Sequence, residues 1–230
     1  MSINLEFLTN QVDATTQVSY PFYFDGANKE EAELKAMFIG NSITIHEPKE
    51  EIGWVKKCGM AASDIDHDYV HIVYRYLCNK HPKTSICVFN GGNWEVDFMN
   101  KSKLDVILKA AEDYQPDLII VRIGENYRRE YMEHHDPYNG FFPLISGLKE
   151  TCNNVFMTSL FWRYDYLDSA ISRVAKELNV PLIPLTDLGD SRENMAFDQY
   201  GETIYSTHPG NLGMQRIADR IINVLKEYNF

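Results

Sequence analysis

The sequence predicts an α/β fold: a parallel sheet with helices on both faces. Three observations carry that reading: short continuous apolar runs, longer amphipathic runs at helical spacing, and the alternation of the two along most of the chain. The runs AMFIG (36–40), TSICVFN (84–90), DLIIVRIG (117–124), NVFMTSLF (154–161) and VPLIPL (180–185) show no polar alternation, as expected of strands buried on both faces. Between them, Leu167, Ala170, Ile171, Val174, Ala175 and Leu178 form one helical stripe; Met214, Ile217, Ala218, Ile221, Ile222 and Leu225 form another. Weaker stripes cover 64–80 and 102–113. A further helix is expected from about Pro143 to Cys152, because a proline in the first turn forfeits no hydrogen bond. Right-handed crossovers between successive strands then give a parallel sheet. Residues 1–34 stand outside the alternation and read as an N-terminal extension in which QVSYPFYF makes an edge strand; residues 35–230 read as the α/β domain.

At 230 residues the chain is long enough for one domain with a substantial core. Lys and Arg number 22 against 33 Asp and Glu, a formal charge of −11, which argues against nucleic-acid or anionic-membrane partners. No apolar run approaches the ~18 residues of a membrane span. The start, MSINLEFLTNQVDATTQ, has neither a basic nor an apolar stretch, so no signal peptide is expected and a cytoplasmic location is the default. Cys58, Cys78, Cys87 and Cys152 are far apart and read as buried thiols. His67 and His71 have metal-ligand spacing but no third ligand near them, and read as exposed helix residues. His134 and His135 read as solvated turn residues. Neither a metal nor a cofactor is expected.

Chemistry is sought in the loops at the C-terminal strand ends, where open parallel sheets bind ligands. Two of these connections, 46–63 and 186–210, are long enough to suggest function. The chain lacks G-x-G-x-x-G, a P-loop, H-E-x-x-H and G-x-S-x-G. It carries FIGNSIT (38–44) after the first core strand, NGGNWE (90–95) after the second, RIGEN (122–126) after the third, and STHPGNLGM (206–214) before the last helix. Taken singly, Ser42 reads as a helix N-cap, Asn126 as a turn residue and His208 as a loop histidine. Together they place a hydroxyl, a side-chain amide and an imidazole at one sheet edge.

In that order the blocks resemble those of the SGNH hydrolases, the GDSL esterase and lipase superfamily. Gly40-Asn41-Ser42-Ile43-Thr44 stands for the Gly-Asp-Ser block with Asn41 in place of Asp. Gly124-Glu125-Asn126-Tyr127 stands for Gly-x-Asn-Asp with Tyr127 last, and Tyr205-Ser206-Thr207-His208 keeps the His of Asp-x-x-His without its Asp. In the second block the expected oxyanion glycine falls at Glu95, with Gly91 and Gly92 close by. The GNSIT and RIGEN variants, with the HEPKEEIGWVKKCGMAAS insert, resemble a branch common in gut bacteria that degrade polysaccharides.

The resemblance implies a flavodoxin-like three-layer sandwich with a central parallel sheet of about five strands. It also implies a serine esterase that takes a small acyl group, acetyl first, from a carbohydrate or similar alcohol; the other reading is a non-catalytic glycan- or protein-binding domain. Ser42 would be the nucleophile and His208 its base, with the Ser42 N–H, the Asn126 amide and a donor from 91–95, Gly92 first, as the oxyanion hole. No carboxylate precedes His208 by three residues. Either the site is a Ser-His dyad oriented by a backbone carbonyl or Tyr205, or Glu202, Asp198, Glu95 or Glu125 reaches the ring. Trp54, Trp94, Trp162, Tyr127 and Tyr164 fall in the crevice loops, either to pack or to stack on a sugar.

Overall fold

The computed structural model of the protein describes residues 13–230. Six strands form one sheet: β1 (Phe22–Gly26), β2 (Leu34–Gly40), β3 (Thr84–Asn90), β4 (Leu118–Arg122), β5 (Val155–Thr158) and β6 (Leu182–Ile183), in the order β1-β3-β2-β4-β5-β6. β1 pairs antiparallel with β3 and the other pairs are parallel. Without the edge strand, the parallel strands follow the 2-1-3-4-5 order of flavodoxin-like sheets, whose ligand crevice opens where the order reverses, between β2 and β4. The sixth strand is thus the N-terminal edge, formed from the later part of QVSYPFYF. Residues 1–12 of the expected extension lie outside the described residues.

Alternation along β2 divides the core in two. Ala36 and Phe38 face the helices α1 (Tyr69–Lys80) and α5 (Asn211–Glu227), packing with Val73, Leu77, Ile217 and Ile221. Met37 and Ile39 face α2 (Lys101–Tyr114), α3 (Tyr138–Thr151) and α4 (Asp165–Glu177), packing with Ile107, Leu144 and Ile171.

Local chemistry moved several boundaries. β6 has two residues where 180–185 was expected, because Pro181 and Pro184 have no N–H to give a ladder. α3 begins at Tyr138, so Pro143 lies inside the helix instead of in its first turn. Helix 64–80 is broken: Ile65–His67 is a 3₁₀ turn, and α1 starts after Asp68, whose carboxylate caps the His71 N–H at 2.8 Å. His71 is consequently not exposed. It is buried, with Nδ1 2.7 Å from Asp68 Oδ1 and Nε2 3.0 Å from the Tyr23 hydroxyl, and this chain of bonds ties β1 to α1. His67 is exposed beside Asp64, and His135 packs on the Tyr131 ring at 4.5 Å. Cys58, Cys87 and Cys152 are buried free thiols and Cys78 is half-buried.

Candidate active site

β2 ends at Gly40, where any Cβ would collide with the Thr44 side chain and the Arg122 carbonyl. The glycine therefore lets the chain turn tightly: Thr44 and Ile45 donate their N–H groups back to the Asn41 carbonyl at 2.9 and 3.0 Å. No helix starts there, so Ser42 is not a helix cap. The turn holds Ser42 at the sheet edge, 7% exposed, and its backbone N–H has no acceptor among the described residues.

His208 arrives from 166 positions away in sequence, with Nε2 3.3 Å from Ser42 Oγ. Its backbone is fixed on both sides: the N–H donates to the Tyr205 carbonyl at 3.0 Å and the carbonyl accepts from Ala196 N–H at 3.0 Å. The Trp162 ring stands perpendicular to the imidazole at 5.3 Å, and its Nε1–H donates to the Thr207 carbonyl at 3.1 Å. Burial, assisted by nearby His46 and Arg122, pushes the His208 ring down to about 3, so at neutral pH it is uncharged and its Nε2 can accept a hydrogen bond from Ser42. Its Nδ1 has no hydrogen-bond partner among the described residues, although the Tyr205 carbonyl partly offsets the depression.

None of the carboxylates considered for orienting this ring is bonded to it. Glu202 is exposed and paired with Arg192 at 2.8 Å, and Asp198 is exposed. The Tyr205 hydroxyl points to the Gly53 carbonyl at 3.5 Å, and its ring packs on Trp54. Glu95 and Glu125 belong instead to a buried network on the other side of Ser42, centred on Asn41. The Asn41 amide nitrogen donates to Glu95 Oε1 at 3.0 Å and to Glu125 Oε2 at 2.6 Å, while its oxygen accepts from Arg122 Nη1 at 3.0 Å and Ile43 N–H at 3.2 Å. Arg122, at the end of β4, also pairs with Glu125, which in addition accepts the Phe161 N–H at 3.2 Å.

Glu95 is fully buried and binds the Asn126 block. Its Oε1 accepts from Gly124 N–H at 2.5 Å, and its Oε2 accepts from Asn126 Nδ2 at 2.5 Å. The carboxylate requires the amide nitrogen on its side, and on the other side Gln17 Nε2 approaches Asn126 Oδ1 at 3.5 Å, in agreement with that orientation. One Asn126 amide hydrogen remains uncommitted. Gly124 sits at φ +142°, a conformation that favours glycine and turns the block toward Glu95.

Both candidate glycine donors are already engaged: Gly91 N–H donates to the Gly40 carbonyl at the end of β2 at 2.6 Å and Gly92 N–H to Asn90 Oδ1 at 2.9 Å. The network therefore leaves the Ser42 N–H and one Asn126 hydrogen as free donors. Gln17, in the N-terminal segment, carried no motif that could single it out, and Arg122, although it opens RIGEN, had no role there. Of the aromatic residues, Trp54, Trp94 and Tyr127 are buried in the core, Tyr127 stacked on Phe98 at 4.5 Å. Trp162 alone of the five packs against the imidazole. Among the described residues no three His, Cys, Asp or Glu side chains converge as a metal centre requires.

No family model and no curated protein matches the chain. Solved structures do. The esterase EstA of Pseudoalteromonas sp. superposes with a TM-score of 0.53 at 13% identity over 85% of this chain and 98% of its own. A family 3 carbohydrate esterase of Clostridium thermocellum gives 0.54 at 16% identity over 85% and 98%. A two-domain esterase active on acetylated mannans gives 0.54 at 16% identity over 84% of this chain and 48% of its own, so the chain spans about half of that protein. At these identities the likeness is one of fold: the chain has the three-layer α/β architecture on which those esterases are built.

Proposed function

We propose that the protein is a serine ester hydrolase that removes a small acyl group, acetyl first, from a carbohydrate or similar alcohol. The observation that carries the reading is the 3.3 Å approach of Ser42 Oγ to His208 Nε2, beside an Asn126 amide held with one hydrogen free. A serine hydroxyl is a weak nucleophile until a base takes its proton. The neutral His208 ring accepts that proton as Ser42 Oγ attacks the ester carbonyl. The negative charge that forms on the carbonyl oxygen is received by the Ser42 N–H and the free Asn126 hydrogen. His208 then returns the proton to the leaving alcohol, and water clears the acyl-enzyme by the same steps in reverse order. With Nδ1 outside hydrogen-bond reach of any carboxylate among the described residues, the site works as a Ser-His dyad.

A small acyl group is supported by the near-closed surroundings of Ser42 and by Trp162 packed over the imidazole. Two of the structural neighbours named above act on carbohydrate esters. The proposal is tested with p-nitrophenyl acetate and acetylated oligosaccharides: turnover by the wild type, lost in Ser42→Ala with the fold intact, supports it. No turnover on any acetyl ester by a folded wild type contradicts it.

A further inference from the structure

Where the second block of the resembled family has a glycine, this chain has a fully buried carboxylate, Glu95, on the single helical turn Gly92–Glu95 after β3. The backbone N–H of Glu95 is spent on the Gly91 carbonyl at 3.1 Å, so the donor set of the site has to be arranged differently. Glu95 accepts from the Asn126 amide at 2.5 Å, from Gly124 N–H at 2.5 Å, from Asn41 Nδ2 at 3.0 Å and, more distantly, from Asn126 N–H at 3.5 Å. Three of these donors converge on Oε1, and the Asn126 amide alone holds Oε2. Two of the four come from Asn126 itself, and a third from the glycine that sets the backbone of its block.

We propose that Glu95 is the positioning residue of the oxyanion hole: as a carboxylate it clamps the Asn126 amide so that the second amide hydrogen faces the substrate carbonyl oxygen, and when protonated it releases that clamp. The inference rests on the esterase reading for its kinetic consequences, but the clamp itself is independent of that reading. A proton on Oε2, the oxygen that holds only the Asn126 amide, turns that acceptor into an O–H and weakens its bond to Asn126. Burial, with the Glu125 carboxylate close by, pushes Glu95 up to about 7, which brings this change into the neutral range. The ionisable groups around it are Glu125, Arg122 through Asn41, and the buried Tyr127 phenol. Asp97, two residues on, is turned away to Asn100, Tyr131 and Lys103. His208 titrates far lower, so an acid limb near neutrality belongs to Glu95 and not to the base.

The test combines kinetics with a readout that needs no turnover. Glu95→Gln, which replaces one acceptor oxygen by a donor, is expected to lower kcat by roughly 10²-fold with KM within about threefold, as for loss of a transition-state donor. Placed in the Asn126→Ala background, the same change is expected to cost less than about threefold, because its effect passes through Asn126. The wild-type kcat/KM is expected to fall as pH drops through about 7, and this limb to be absent in Glu95→Gln. Independently, the Asn126 side-chain ¹⁵N–H₂ resonances of the wild type are expected to shift with the same midpoint as the Glu95 carboxyl carbon. The proposal is overturned if those resonances do not follow Glu95, if the acid limb persists in Glu95→Gln, or if the two substitutions multiply. Should Glu95→Gln not fold, the wild-type titration decides alone. Should the wild type hydrolyse no ester, that titration still decides on the clamp while the function reading fails separately.

Discussion

Asn41 stands where the resembled family has an aspartate, and the structure gives a physical reason for the exchange. Its amide donates to two buried carboxylates at once, Glu95 and Glu125, while its oxygen accepts from Arg122. An aspartate there would set a third negative charge against the two and remove both donors. Asn41→Asp is therefore expected to destabilise the fold by about 3–5 kcal/mol, the usual cost of an uncompensated buried charge, measured by denaturant unfolding. A change within about 1 kcal/mol would show that the network tolerates the charge. Trp162 acts on the imidazole by exclusion of water: burial is the main cause of the low His208 value. Trp162→Ala is expected to raise the His208 pKa toward the usual histidine range, followed by the ring-proton shifts in NMR. At this scale Ser42 and Asn126, each just past a strand end, and His208, before the last helix, could be read from sequence as lying at one sheet edge, and the structure sets Ser42 beside His208. The network was not legible, since Glu95, Gln17 and Arg122 acquire their roles only when β2, β3 and β4 lie side by side.

The long connection 46–63 folds back on itself through the bridges His46 to Cys58 and Lys49 to Trp54, with Gly53 at φ +73° in the turn. It buries Trp54 against Tyr200 and Tyr205, and Lys56 Nζ donates to the Tyr200 hydroxyl at 2.8 Å. The two long loops expected to surround the crevice thus hold one another, and the 205–208 turn that carries the base leans on Trp54. Trp54→Ala is expected to cost about 3–5 kcal/mol by emptying this cluster, and to lower kcat because the His208 turn loses its support; thermal unfolding and turnover measure the two. Full retention of both would mean that the loops fold independently. The parallel strands and the two strong helical stripes were readable from periodicity because burial on both sheet faces and on one helix face writes directly into sequence. The short turns Gly92–Glu95 and Phe197–Tyr200 were not, because four residues hold less than two helical periods. Prolines account for two further differences: at 181 and 184 they shorten β6, and at 143 one is carried inside α3.

Across the whole molecule, the buried ionisable groups oppose one another in their pH dependence. His46 is fully buried, with Nδ1 2.5 Å from the Glu47 carbonyl, and burial pushes it down to about 4; His208 lies at about 3. Both values are depressed, so the stability they contribute is present above the unfolded value of about 6.5 and is lost as pH falls toward the folded values. Glu95 is raised to about 7, so its contribution runs the other way: present below about 4.5 and lost as pH rises through 7. Between pH 6.5 and 4.5 the two imidazoles lose stability while Glu95, and Asp168, which burial also raises, gain it; the two rings are expected to outweigh the carboxyls. Denaturant unfolding should therefore show lower stability at pH 4.5 than at 6.5; equal or higher stability would contradict the burial of the two rings.

The central claim is that the 3.3 Å Ser42–His208 pair is an activated nucleophile and its base. It is tested most directly by treating the wild type with a fluorophosphonate and mapping the adduct by mass spectrometry. The account predicts one phosphonate per chain, on Ser42, formed at a rate that falls by orders of magnitude in His208→Ala. No adduct on folded wild type, or labelling at another residue that survives Ser42→Ala unchanged, would contradict it.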